Sequence, residues 1–252
     1  MSESERPSRR TNACALLERD DYDTLVQAAN EYLAAQGAIM SLMATLGTAI
    51  QIGLDKLPEG FKQDLMVKVR DALEYAQQVS ISNMDCDTGR EASSGLYSLA
   101  GAASGALSGF FGLPAILLEL PVTTVTILRS IADVARSKGA DITDVGVQAT
   151  CIEAFAYGGP LDEDDDADLA FFTARVGATE LAEVISKVAV RYSATLAPKV
   201  AAQAVPVTGA VLGAGLNWSY MRFYQAMASV LFTLRKAASA RKPRTGVRST
   251  AA

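Results

Sequence analysis

Two charged side chains are placed where chemistry is possible, Glu119 and Arg129, because each is embedded in apolar sequence. Glu119 lies between Leu118 and Leu120 ahead of Pro121, and Arg129 follows Ile127 and Leu128 and precedes Ile131 closely. A carboxylate in such surroundings is either paired or functional, since burying it alone is costly. A Glu119–Arg129 bridge is the structural expectation, and acid or base work by Glu119 is the catalytic one. Arg129 and Asp133, four apart, promise only local helix support. The chain has no histidine, which excludes Ser-His-Asp and Cys-His machinery and imidazole metal sites. Its three cysteines, Cys14, Cys86 and Cys151, stand far apart with no CxxC spacing. They read as idle thiols in a reducing compartment rather than a disulfide framework or a zinc site. The acidic run DEDDDAD at 162–168 lacks the spacing and the glycine of a calcium loop, so it reads as a solvated helix start. There is no phosphate-binding loop, no dinucleotide fingerprint and no pair of carboxylates in a metal-like frame. No cofactor and no metal are expected.

The elements that must position these residues are helices. Leu25, Val26, Ala29 and Leu33 recur at helical spacing after the acidic start Asp20, Asp21 and Asp23, which predicts a helix to about Ala35. Gly37 then separates it from a second, more apolar helix through Met40, Leu46, Ile50 and Leu54. Pro58 suits the first turn of a third, whose Phe61, Leu65, Val69, Leu73 and Ala76 form one stripe. Residues 82–90 read as a polar linker. Beyond it come a glycine-rich helix, a β-branched but helical stretch from Val122 that ends at Gly139, and a helix over 143–157. A long helix over 166–196 and a last one over 207–238 follow. No strand alternation of useful length appears. The expected fold is all-α, a multi-helix bundle with glycine-faced apolar helices. Its parts are a mobile arm (1–19), N-terminal helices (20–81), a main helical region (90–239) and a basic flexible tail (240–252).

The glycines carry the most distinctive pattern. Residues 92–118 are 27 in a row without a formal charge, and within them Gly101, Gly105 and Gly109 are four apart. Residues 200–221 are again uncharged, with Gly209 and Gly213 four apart. Glycines at this spacing strip the Cβ atoms from one side of a helix, so a partner backbone approaches closely. Each costs about 1 kcal/mol relative to alanine within a helix, which packing must offset. Three outcomes are open: a tight pair in a protein core, helices that enter a membrane, or a hairpin that exposes this face on binding. The two glycine faces are expected to be direct neighbours.

Charge is distributed unevenly. Eleven acids against one arginine occupy 141–183, whereas ten basic residues and no acid follow Glu183. Side-by-side packing of the two segments explains part of this. It does not explain Arg241, Lys242, Arg244 and Arg248, where Pro243 and Gly246 argue against helix. Such a tail seeks phosphate, and an anionic membrane surface fits better than nucleic acid. The first eleven residues lack the apolar core of a secretory signal. Cytoplasmic residence with peripheral or reversible membrane association is expected.

In order along the chain stand Gly109-Phe-Phe-Gly112-Leu113-Pro114, Leu118-Glu119-Leu120-Pro121, Leu128-Arg129-Ser-Ile131-Ala132 and Gly139-Ala-Asp141. Val205-Pro206, Gly209, Gly213-Ala214 and Asn217 follow. This series resembles the EcsC protein family over roughly residues 90–238. Glu119 stands where many members have aspartate. The family takes its name from a gene beside those of an ABC transporter linked to secretion, so the resemblance implies an integral membrane protein such as a transporter as a partner. It implies no established activity. Together these readings favour a helical protein that works by association at the cytoplasmic face of a membrane, accessory to transport or secretion. The alternatives are a soluble helical protein holding a lipid-like ligand in an internal cavity, and an enzyme using Glu119 and Arg129.

Overall fold

The protein is described by a computed structural model, which covers residues 19–55, 60–111, 113–154, 185, 188–189 and 209–240. The acidic run, the helix expected over 166–196 and the tail residues Arg241, Lys242, Arg244 and Arg248 lie outside the described residues, as does Pro58. Among the described residues there are six helices and no strand. They are α1 (Arg19–Asp55), α2 (Phe61–Val79), α3 (Ser94–Phe111), α4 (Leu113–Ser137), α5 (Val145–Glu153) and α6 (Gly209–Ala240).

The expected break at Gly37 does not occur. α1 runs through it for 37 residues. A single glycine costs about 1 kcal/mol, less than the continuous packing it would otherwise interrupt. Ala28, Tyr32, Ala35 and Ile39 form the inward stripe of α1, while Val26 and Leu33 are exposed. Periodicity alone picked the larger apolar residues. Small alanines win because they let α1 lie close to α6, where Tyr32 meets Phe223 with ring centroids 4.8 Å apart. Glu31 and Arg222 reinforce that contact at 3.5 Å.

α2 buries the stripe Phe61, Leu65, Val69, Leu73 and Ala76. It begins after Gly60, whose φ of 81° is a conformation that glycine adopts without Cβ strain. The stripe packs on α4. α4 continues unbroken through Pro121, although proline removes one hydrogen bond from a helix interior. Thr124 Oγ1 donates to the Leu120 carbonyl at 2.8 Å, and Thr126 Oγ1 to that of Val122 at 2.7 Å. α5 is capped by Asp144, whose carboxylate accepts from the Val147 N–H at 2.9 Å, as an N-cap residue does.

α4 and α6 form the centre of the bundle. α3 lies antiparallel to α6, since Ser98 meets Gln225 and Gly101 meets Met221, while Gly105 meets Gly213. One buried cluster joins Ala35 and Ile39 of α1 to α2, α4, α5 and α6. The N-terminal helices therefore share their core with the rest of the chain.

The segment between α2 and α3 is clamped rather than free. Arg136 and Asp133 form a buried ion pair at 2.6 Å. Arg136 Nη1 also donates to the Asp87 carbonyl at 2.7 Å, and the Gly89 N–H donates to the Arg136 carbonyl at 3.0 Å. The second oxygen of Asp133 accepts from the Ser93 N–H at 2.6 Å, where α3 begins. Asp133 is thus spent on Arg136 and Ser93, not on Arg129 as the four-residue spacing suggested.

Candidate functional site

The Glu119–Arg129 bridge does not form. Ten residues along one helix separate two positions by about 15 Å. Arg129 instead donates from Nη1 to the carbonyls of Ser80 and Ser82 at 2.9 and 2.8 Å. It satisfies carbonyls left without intrahelical donors where α2 ends, as basic side chains do at helix C-termini. The two candidates for a shared site are therefore not brought together.

Glu119 belongs to a different cluster, at the junction of α3, α4 and α6. Its Oε1 accepts from Ser104 Oγ at 2.7 Å, from Thr123 Oγ1 at 2.5 Å and from Asn217 Nδ2 at 2.9 Å. Thr123 stands one turn beyond Glu119 on α4, so helical spacing alone places it there. Ser104 and Asn217 reach the carboxylate because α3 and α6 cross closely beside it. A Cβ added to Gly105 would collide with the Gly213 carbonyl oxygen, and it would lie 2.6 Å from Asn217 Nδ2 and 2.7 Å from the Gly213 carbonyl carbon. At Gly101 the same atom meets the tip of Met221 at 3.1 Å. Gly109 and Gly209 belong to the same two helices.

The other end of α3 is held by a second polar group. Gln225 Nε2 donates to the Ser94 carbonyl at 2.9 Å and to Ser130 Oγ at 2.8 Å. Along its length α3 turns Ser98, Gly101, Gly105 and Ser108 inward. Its large apolar residues, Leu96, Leu99, Leu107 and Phe110, point outward and are 60–70 % exposed. Leu118 and Val122 on α4 and Val211 and Trp218 on α6 are exposed too. All of these but Val122 lie in the two long stretches without a formal charge, 92–118 and 200–221. α3 is thus built inside out compared with an ordinary amphipathic helix, which buries its large apolar residues.

Two further groups among the described residues are shifted by burial. Burial pushes the Cys151 thiol up to about 12, against the pull of nearby Arg235, so it is inert as a nucleophile. Burial also raises Tyr97, helped by the Asp133 carboxylate. The cavity between α2, α4 and α5, beside Cys151 and Gln77, holds about 10 Å³, room for about one water. No helix among the described residues is long and apolar enough to cross a membrane.

Fold and cluster together define a helical bundle whose polar groups tie helices to one another. The EcsC protein family model matches residues 25–236, and the chain belongs to that family. The match takes in α1 and α2, which the resemblance read from the sequence left out. No curated protein and no solved structure matches the chain.

Proposed function

We propose that the protein associates peripherally with a membrane through the uncharged apolar surface of α3 and the neighbouring parts of α4 and α6. The inverted build of α3 carries this reading. In lipid, large apolar side chains face outward and small residues pack helix on helix, the pattern of small-xxx-small interfaces. Water gives no reason for that arrangement, and contiguous exposed apolar surface on a protein marks an interaction site. A helix of 18 residues lying in the interface buries its apolar face roughly 5–10 Å deep. Arg241, Lys242, Arg244 and Arg248 add attraction to anionic lipid, about 1 kcal/mol each near the surface. An accessory role beside a membrane transporter is compatible with this placement and rests on the family name alone.

Trp218 is the sole tryptophan and is 43 % exposed on this surface, so it serves as a probe. On addition of vesicles its emission moves to shorter wavelength, and the protein floats with them on a density gradient. Flotation with both neutral and anionic vesicles supports apolar insertion, and flotation with anionic vesicles alone assigns binding to the basic tail. Replacing Leu99 and Leu107, both exposed on α3, by lysine abolishes the shift in neutral vesicles while leaving the fold intact. Unchanged emission and no flotation with either vesicle would remove the membrane from the account.

A further inference from the structure

The exposed line along α3 runs through Leu96, Leu99, Ala100, Ala103, Leu107 and Phe110, large apolar residues with alanines between them and no charge. An ordinary interfacial helix backs such a face with a second one rich in lysine and arginine, which holds it to anionic headgroups. α3 has no second face of that kind. The side that would carry the cations holds Gly101 and Gly105 and lies against α6, and Ser94–Phe111 contains no charged residue. Val211 and Trp218, the exposed apolar residues of α6, stand in the uncharged stretch 200–221. Among the described residues, apolar insertion is therefore the attraction this surface offers to lipid.

That attraction is small. The three leucines and Phe110 together expose hydrocarbon comparable to one fatty acyl chain, and a single myristoyl chain gives only marginal, reversible binding. With so little in reserve, the work of parting the lipid headgroups decides whether the face enters. In a flat, tightly packed bilayer that work is high. Strong curvature, or neutral lipids with small headgroups, spreads the surface beforehand, and interfacial helices respond to curvature and lipid composition accordingly. We propose, resting on the membrane association inferred above, that α3 senses lipid packing. Its exposed face recognises strongly curved, loosely packed bilayer whatever the lipid charge. Arg241, Lys242, Arg244 and Arg248 answer to anionic lipid instead, so neutral vesicles isolate the contribution of α3.

The full chain is mixed with small sonicated or large extruded vesicles of the same dioleoyl phosphatidylcholine, at equal lipid concentration. Trp218 emission and flotation report binding. Partitioning into the small vesicles is stronger by roughly tenfold or more, which corresponds to about 1.4 kcal/mol. Diacylglycerol, neutral and small in its headgroup, narrows the gap when added to the large vesicles. Leu96→Ala combined with Leu99→Ala keeps the helix, since alanine favours it, and weakens binding to the small vesicles roughly tenfold or more. Circular dichroism checks that this variant folds. Equal binding to both sizes overturns the packing proposal and leaves membrane association standing. A size preference undiminished in the double variant also overturns it, because the sensor then lies outside α3. Binding to anionic vesicles alone overturns it in favour of the basic tail, and binding to no vesicle overturns it together with the membrane reading.

Discussion

Replacing Gly105 and Gly101 separately by alanine should give opposite outcomes, although the two glycines are one turn apart on the same helix. Each substitution gains about 1 kcal/mol of helix propensity. At Gly101 the tight contact of the new methyl is with the flexible end of Met221, at 3.1 Å, while the Asn217 carbonyl oxygen at 3.6 Å is in ordinary van der Waals contact. A small rotamer adjustment relieves that, so Gly101→Ala should be neutral or stabilising by up to about 1 kcal/mol. At Gly105 the methyl meets the Gly213 backbone and the Asn217 amide, and neither yields without moving α6. Overpacking of this kind costs about 1–3 kcal/mol. Separation of the helices also strains the Asn217–Glu119 hydrogen bond, and bonds to charged groups contribute about 1.5–3 kcal/mol. After the propensity gain, Gly105→Ala should lose about 2–4 kcal/mol. Urea unfolding followed by circular dichroism measures the difference, as a midpoint lower by roughly 1 M or more for Gly105→Ala at unchanged m. Equal midpoints for the two variants would refute the close crossing of α3 and α6.

Arg136→Ala leaves Asp133 buried without its partner and should cost about 3–5 kcal/mol, whereas Asp133→Leu with Arg136→Met should cost much less; thermal or urea unfolding of the three proteins decides. Arg129→Met removes two charge-assisted hydrogen bonds to the end of α2 and should cost about 1.5–3 kcal/mol, with faster amide exchange in the last turn of α2 as its local signature. Because the folded Cys151 thiol is raised to about 12 against about 8.5–9 unfolded, its contribution is complete below pH 8. It falls as the unfolded thiol ionises, by up to about 1.4 kcal/mol per pH unit between pH 9 and 12. The stability difference between wild type and Cys151→Ala should therefore shrink with pH across that window, and a constant difference would mean that the thiol is not buried. In a Cys14→Ser background at pH 8, a thiol reagent should modify Cys86, which is exposed, and spare Cys151 until unfolding.

The helical class and the stripe of α2 were legible because large apolar residues and their spacing agree there. α1 was misread for a physical reason. Its inward residues include Ala28 and Ala35, and no scale of apolar size ranks those above Leu33. The uncharged glycine-bearing stretches marked α3 and α6 as unusual helices and as neighbours, and Gly105 does meet Gly213, but no spacing tells which polar side chains gather beside that crossing. Thr123, four beyond Glu119, was a readable partner. Ser104 and Asn217 were not, because their meeting depends on how closely two backbones cross. The Asp133–Arg136 clamp failed to show for a similar reason. A three-residue spacing of opposite charges is commonplace on helix surfaces, and only the loop packed over it makes it a buried pair.

The antiparallel meeting of α3 with α6 joins residues such as Gly105 and Gly213, 108 positions apart, which sets a clock on biosynthesis. At about 5–20 residues per second, the ribosome finishes α3 some 5–20 s before its partner exists. Throughout that interval the helix has no α6 backbone to lie against, while its outer leucines and Phe110 meet whatever is near. A nascent chain halted before Gly209 should therefore be captured by ribosome-associated chaperones or by vesicles more readily than the finished protein. Until α6 is made, the Gly101 and Gly105 side of α3 is uncovered as well as its leucine side.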